Sequence, residues 1–434
     1  MPNSVEIAAL TASTSNLTKE VVGQKELLSN QFKIAKSAVD VVVPLAAQTA
    51  ADKSAAAASA ELAQQISGLD TVDSAVALAI TPYEIETHKK ALESASGGKN
   101  TVMIDEQSNI NVMVWVPAFN REDANAAILA RLGVDLQLGT GLHSAFVTNG
   151  VTRKGFWRAK YAASAGANGG CSAVAGVTTK TSVDYDTASE LCNNKGPGWH
   201  LTSIHEDAAS SIWAFANNTE PRGNTNYGRS HKNKIEVGRR GDNAAPGDTA
   251  GTALTDTGTG PVTWAHDHTS FGLHDLVGNV REWLGQMKLS NGQIVSTLDN
   301  DPIIAELDWY NHSAYFDATS ANGGAPVLSN EVINRNGAVD GDANSGDYAT
   351  TPHFAAITKS AGYNPSELLR QLLIESASTT NVDGALYVRN YGDRFPQRGG
   401  DWSSGSDAGL GSLDLYSSRS YADRYIGFRP AFFE

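Results

Sequence analysis

The C-terminal stretch Arg398–Glu434 constrains the fold more than any other part of the chain. It reads RGGDWSSGSDAGLGSLDLYSSRSYADRYIGFRPAFFE, with apolar pairs at Leu413 and Leu415 and at Ile426 and Phe428. A spacing of two is the period of a β-strand, in which successive side chains point to opposite faces. The glycines between these pairs allow tight turns and close approach of backbone segments. The stretch therefore predicts short strands joined by tight turns.

The remaining positions of this stretch are mostly polar or amphipathic, which makes them poorly suited to burial. We expect them to face the solvent together and to form one surface. The alternative is that Ser, Asp and Gly only decorate loops, as they often do. The positions expected to be exposed are Ser403, Ser404, Asp407, Asp414, Tyr416, Ser417, Tyr421, Asp423, Arg424 and Tyr425.

The stretch resembles the variable region of diversity-generating-retroelement target proteins, whose C-terminal domain has a C-type-lectin fold related to formylglycine-generating enzyme. In that family mutagenic reverse transcription converts asparagine codons into codons for Ser, Asp, Tyr, Arg and similar residues. The frame RGGxWxxGxxAGxxxLxLxxSRSxAxxxIGFRP is intact here. The resemblance implies a diversified, ligand-contacting set consisting of Asp401, Ser403, Ser404, Asp407, Asp414, Tyr416, Ser417, Tyr421, Asp423, Arg424 and Tyr425.

Composition excludes several classes of protein. The chain has 434 residues, which allows two or three domains, and its 41% hydrophobic content excludes global disorder. A formal net charge of −14 argues against nucleic acid as a partner, because phosphate binding needs clustered Lys and Arg. The longest apolar run, around Val39–Ala47, is too short to span a bilayer and contains Pro44. We expect no membrane insertion and no export signal.

Residues 1–98 predict an N-terminal α-helical coiled-coil stem. They are rich in Ala, Ser, Thr, Gln and Lys, and Pro44 divides them into two helical segments. A helix with one apolar stripe cannot bury it alone, so we expect partner chains to complete a homotrimer. A monomeric helical hairpin is the alternative. The two heptad seams are Ile7, Thr14, Val21, Leu28, Ala35 and Val42, and Leu10, Leu17, Gln24, Gln31, Ala38 and Leu45.

Residues 99–434 predict the lectin-like domain, so the fold class is α+β. The linker signal SASGGKN precedes a strand with alternating Val112, Val114 and Val116. Asn149-Gly150 predicts a two-residue β-hairpin turn. One helix is expected before Gly196, and a second after Thr202 or Ser203, where Glu206 completes a capping box.

The motif SFGLHDLVGNVREW, Ser270–Trp283, strengthens the family resemblance, which covers about 101–283 and 398–434. The span 284–397 is interpreted as an insertion with some structure, and 398–434 as the variable region. Its apolar islands are Ile303–Tyr310 and Leu368–Ile374.

The GNVREW turn permits a calcium site, because Ca²⁺ takes carboxylate and backbone carbonyl oxygens from tight turns. By the resemblance, the ligands would be the side chains of Asp275 and Glu282 and the carbonyls of Gly278 and Val280. The alternative is that Asn279 and Glu282 hold the turn by hydrogen bonds. No cofactor is required by either interpretation.

The two cysteines argue against enzymatic activity of the related kind. Formylglycine-generating enzymes depend on a reactive cysteine pair near the C-terminus, whereas Cys171 and Cys192 lie far upstream. They are interpreted as two buried free thiols, with a single disulfide as the alternative. The chain contains no GxSxG or HExxH motif either.

These features predict a receptor-binding protein of a bacteriophage tail fibre or tail tip. Tyrosines supply contact area at low entropic cost, and Ser, Asp and Arg supply adaptable hydrogen bonds. The stem would attach to other tail proteins and raise avidity. The expected partner is a host cell-surface receptor, either protein or glycan, and the expected location is the distal tail of the virion after synthesis in the host cytoplasm.

Three alternatives stay open at this point. The first is a prokaryotic surface or signalling protein with the same variable domain, against which the missing export signal and the stem argue. The second is a formylglycine-generating-like oxidase, and the third is a structural tail component without a ligand.

Overall fold

The computed structural model describes residues 82–320, 323–335, 348–350, 357–375 and 382–433. These residues belong to one compact unit, Ala79–Glu434. The predicted heptads and Pro44 lie outside the described residues, so the coiled-coil stem stays a prediction.

The described part of the chain contains short helices and many short strands. The helices are α1 (Pro82–Ser96), α2 (Arg121–Leu132), α3 (Tyr185–Asn193), α4 (Ile204–Asn217) and α5 (Glu367–Gln371). The strands are β1 (Asn100–Ile104), β2 (Ile110–Pro117), β3 (Val147–Thr148), β4 (Val151–Thr152), β5 (Gly155–Ala159), β6 (Ser164–Ala165), β7 (Cys171–Ser172), β8 (Trp199–Leu201), β9 (Arg281–Trp283), β10 (Met287–Ser290), β11 (Gln293–Ser296), β12 (Tyr310–Ser320), β13 (Gly323–Ser329), β14 (Tyr348–Thr350), β15 (Thr358–Lys359), β16 (Leu386–Val388), β17 (Asp393–Arg394), β18 (Gln397–Gly399), β19 (Gly409–Leu415), β20 (Ile426–Phe428) and β21 (Pro430–Phe432).

Among the described residues, the strands form three larger sheets. The first has the order β1-β2-β5-β21-β8, the second β15-β13-β12-β11-β10-β17, and the third β14-β16-β19-β18-β9-β20. Two small hairpins, β3-β4 and β6-β7, complete the arrangement. The predicted α+β class is confirmed, with strands outnumbering helices.

Local sequence signals explain several of these elements. Val147 pairs with Thr152 across Asn149-Gly150, and both turn residues have positive φ, 48° and 73°, as a type I′ turn requires. The N-cap of α4 is Ser203, which forms the predicted capping box with Glu206. The predicted hairpin and helix start are therefore confirmed.

The span 284–397, predicted to be an insertion with some structure, contributes strands to two sheets. Strand β16 lies between β14 and β19 in the third sheet. The apolar island Leu368–Ile374 contains buried Leu369 and Leu372, whereas Ile303 and Leu307 of the other island are exposed. The span thus builds part of the sheet that also carries the variable region.

Arg429 joins the C-terminus to the rest of the core. It is fully buried, and its Nη2 lies 2.7 Å from Glu282 Oε1 of β9. It also donates to the carbonyls of Ala159, Lys160 and His274. A buried guanidinium with this many acceptors is well compensated for its lost hydration. Just after it, β21 lies between β5 and β8, so the last residues complete the first sheet.

Candidate ligand-binding surface

The variable region begins with a turn that only glycine fits. Gly399 and Gly400 have φ of 90° and 78°, and a Cβ on Gly399 would lie 2.6 Å from the carbonyl oxygen of Leu276. A 3-10 turn at Gly405–Asp407 follows, and then β19. This geometry explains Gly399 and Gly400. It places the polar positions in three settings: the turn before β19, the strand itself and the loop after it.

The loop half, residues 418–425, presents an exposed aromatic and cationic group. Tyr421 is 39% exposed and donates its phenolic hydrogen to Asp423 Oδ2 at 3.1 Å. Arg424 is exposed and donates to the phenolic oxygen of Tyr425 at 3.0 Å. The ring of Tyr425 stacks on buried Trp402, with 4.5 Å between centroids. Tyr421 and Arg424 are thus exposed, Tyr425 is partly exposed, and all three are held in defined orientations.

Tyr416 connects the loop to the sheet. Its ring lies under the guanidinium of Arg389, whose Cζ is 3.3 Å from the ring centroid. Its other neighbour is Tyr421, edge-on at 6.5 Å between centroids. A tyrosine held between a cation and a second ring loses little further freedom when it contacts a ligand.

The predicted exposure of the strand half is wrong at two positions. Asp414 is 4% exposed and Ser417 is 3% exposed, and Asp401, predicted to contact ligand, is 2% exposed. Strand pairing explains Asp414, because β19 has β16 on one side and β18 on the other and every residue of β19 is buried. Asp401 lies before β19, where its carboxylate pairs with Arg281, and Ser417 lies just after the strand. Whether these three residues contact a ligand stays a prediction.

The other predicted contact residues remain accessible in part. Ser403 is exposed, and Ser404 and Asp407 are partly exposed. Asp407 accepts a hydrogen bond of 2.9 Å from the phenol of Tyr387. These residues border the 3-10 turn at the start of β19, so they extend the exposed group across the surface.

The two buried carboxylates share one arginine. Arg281 Nη2 lies 2.9 Å from Asp401 Oδ2, and Arg281 Nη1 lies 2.9 Å from Asp414 Oδ2. Asp401 Oδ1 also accepts from the Ser403 amide, and Asp414 Oδ1 accepts from the Tyr416 amide. Each aspartate therefore holds a backbone turn with one oxygen and Arg281 with the other.

Three residues of this surface were not among the sequence candidates. Arg281 comes from β9, and Tyr387 and Arg389 come from the 284–397 span. A signal for the latter two exists in ALYVRN, where Leu386 and Val388 alternate with Tyr387 and Arg389 as in a strand. No local signal could place Arg281, because its partners lie more than a hundred residues away along the chain.

The electrostatics keep the phenols neutral. Burial and the hydrogen bond to Asp407 raise the pKa of Tyr387 to about 12, although Arg281 opposes this shift. Burial and Asp423 raise the pKa of Tyr421. Burial alone would lower the pKa of Arg281, but Asp414 and Asp401 raise it above its ordinary value. At neutral pH the surface thus offers neutral phenols beside a charged guanidinium.

The turn predicted to hold calcium has other partners. Glu282 faces the guanidinium of Arg429 at 2.7 Å, a position where a bound cation would be repelled. Asp275 accepts from the Gly258 amide at 3.0 Å, and burial raises its pKa to about 6. Asn279 bonds the backbone of Thr255 from both ends of its amide. The contacts of Glu282 and Asn279 favour the hydrogen-bonded alternative over ligation by Asp275, Gly278, Val280 and Glu282.

The part of the chain that the structure describes contains neither a metal-binding cluster of side chains nor a reactive thiol at the surface. Among the described residues, no group of three or more His, Cys, Asp or Glu side chains could hold a metal ion. Cys171 and Cys192 are both buried and carry free thiols.

No helix of the described segments is long and apolar enough to cross a bilayer.

The solved structures that resemble the chain include two variants of one protein, each matched over 77% of this chain and 71% of its own length. The Major Tropism Determinant U1 variant has 11% identity and a TM-score of 0.29, and the P3c variant has 12% identity and a TM-score of 0.28. No protein-family model and no curated protein matches the chain. A likeness this weak assigns no function, which must be argued from the surface itself.

Proposed function

We propose that this chain is a receptor-binding protein of a bacteriophage tail, with residues 99–434 forming a lectin-like domain that touches the host cell. The observation that carries the proposal is the pairing of exposed Tyr421 and Arg424, together with partly exposed Tyr425, with the buried frame of Trp402 and β19. Such residues dominate contact energy in protein recognition surfaces.

The frame matters because it separates folding from recognition. Trp402, Leu413 and Phe428 are buried and hold the strands, whereas Tyr421 and Arg424 are exposed and bond to Asp423 and Tyr425 of the same loop. Exposed side chains of this kind contribute little to folding free energy. These exposed residues can therefore be replaced without loss of the fold. The resemblance to diversity-generating-retroelement target proteins requires this of diversified positions.

The stem in residues 1–98 completes the proposal. It would form a homotrimer, attach to other tail proteins and place several copies of the surface on the distal tail. One site of this size binds weakly, and several linked sites bind with a much higher effective affinity. This proposal includes no enzymatic step, no nucleic acid and no membrane insertion.

Adsorption of the purified protein to a panel of bacterial cells tests the proposal. The double variant Y421A/R424A is expected to lose adsorption at least about tenfold, since exposed aromatic and Arg side chains are frequent hot spots. The control S290A/K90A changes a partly exposed serine of β10 and an exposed lysine of α1, both outside the variable region, and it should adsorb like the unchanged protein. Equal adsorption by all three proteins, or adsorption to no cell type, would contradict the proposed function.

A further inference from the structure

Arg281 lies within the proposed binding surface but belongs to no part of the variable region. Its backbone amide donates to the Tyr425 carbonyl at 2.9 Å, and its strand β9 lies between β18 and β20. Tyr387 and Tyr421 are close enough for their pKa values to respond to its charge. The guanidinium is therefore held by the frame and surrounded by recognition residues.

The guanidinium is only partly used by its two carboxylates. Its side chain stays 32% exposed, while the side chains of Asp401 and Asp414 are 2% and 6% exposed. A guanidinium carries five N–H donors in a planar fork, and one N–H on each Nη suffices for the two aspartates. The remaining N–H groups of this partly exposed side chain can thus donate to an atom outside the protein.

The charges around Arg281 determine which kind of ligand atom can accept its hydrogen bond. Two carboxylates outnumber the single guanidinium they hold, so an anion approaching Arg281 meets net negative charge. An uncharged oxygen, such as a carbonyl or hydroxyl, meets no such repulsion. If neutral residues replaced both aspartates, the same guanidinium would lose both of its carboxylate partners and would favour oxyanions, which match the guanidinium fork.

We propose that Arg281 is the specificity-determining residue of this surface, and that residues 401 and 414 set its preference. With Asp at both positions it donates to uncharged ligand oxygens. With neutral residues there it binds an oxyanion such as a carboxylate, sulfate or phosphate group. This inference rests on the proposed function for its biological meaning, but its chemistry is measurable without any receptor.

Inorganic sulfate is the probe for this test. In the full chain, D401N/D414N should gain a saturable rise in melting temperature of about 2 °C or more with sulfate, because binding to the native state stabilises it. The control D401N/D414N/R281Q lacks the guanidinium and should show only the general salting-out effect of sulfate. The unchanged protein should match that control. Equal responses of the double and triple variants would overturn the proposal.

Asparagine keeps the side-chain oxygen that accepts from the Ser403 or Tyr416 amide, so the double variant should retain both turns. If it fails to fold, D401N and D414N are tested singly against D401N/R281Q and D414N/R281Q. Each single variant should respond to sulfate more than its R281Q partner does. No difference within either pair would also overturn the proposal.

The sulfate and adsorption experiments fail independently. A sulfate response without adsorption to any cell would keep the role of Arg281 as an oxyanion donor and remove the receptor-binding function. Adsorption that depends on Tyr421 and Arg424, without the sulfate response, would keep the function and remove Arg281 as its specificity-determining residue.

Discussion

The two halves of the variable region have similar compositions and opposite environments. Residues 401–417 and residues 418–425 are both rich in Ser, and both contain Asp and Tyr. Yet Asp401 and Asp414 are buried against Arg281, while Asp423 is partly exposed beside exposed Tyr421. Asp414 lies in β19, which is hydrogen-bonded on both sides, and Asp401 lies in the turn that leads to it, whereas residues 418–425 belong to no strand. Residue type predicts a polar surface, but strand pairing decides which polar residues reach it.

Acid should produce the largest effect, because it acts on the buried frame and not on the loop half. Burial lowers the pKa of His143, His266 and His312 to about 4 and that of His205 to about 3, below the ordinary value of 6.5. Between those values the unfolded chain binds more protons than the native state, so stability falls as pH falls below about 6.5. Asp275, with its pKa raised to about 6, opposes this trend only partly.

Urea denaturation at pH 7 and pH 5 measures this dependence. The midpoint should be lower at pH 5, with native fluorescence unchanged before the transition. A midpoint that is constant or rises on acidification would contradict the assignment of these histidines as neutral in the native state.

The next largest effect should come from removing the aromatic residue that supports the loop. Trp402 is 2% exposed, packs with Val280 and Leu254, and carries Tyr425 on its face. We expect W402A to lose about 3–5 kcal/mol of unfolding free energy. The control Y421A removes an exposed ring and should change it by less than about 0.5 kcal/mol. Similar losses in both variants, measured by urea denaturation, would remove the distinction between frame and surface.

The smallest effect on the free energy of unfolding should come from removing one carboxylate charge, either from residues 401–417 or from residues 418–425. D414N places an amide against Arg281 in a buried site, and we expect a loss of about 1–3 kcal/mol. D423N makes the same chemical change in the loop, where its partners are Tyr421 and a backbone amide, and should cost less than about 0.5 kcal/mol. Thermal unfolding of the two variants compares them directly. A larger loss of unfolding free energy for D423N than for D414N would mean that the loop stabilises the fold more than the buried aspartate does.

Several features of the fold were predictable because they depend on neighbouring residues. Asn149-Gly150 specifies its turn through two positive φ angles, and Ser203 and Glu206 cap α4 by reaching each other within one turn. By contrast, 284–397 is predicted only as an insertion with some structure, and the sequence does not predict that its strand β16 pairs with β19 and brings Tyr387, followed by Arg389, to the variable region. That placement depends on which distant strand pairs with β19, and such pairing leaves little trace in local sequence.

The sequence by itself determined the strands, the tight turns and the polar character of the C-terminal region, because backbone conformation and side-chain alternation are properties of neighbouring residues. The tertiary structure decided that Asp401 and Asp414 lie inside, that Arg281 joins them, and that Tyr421 and Arg424 remain outside. Burial depends on sheet partners that lie far away along the chain. A charged residue enters the interior only where such a partner brings it an opposite charge.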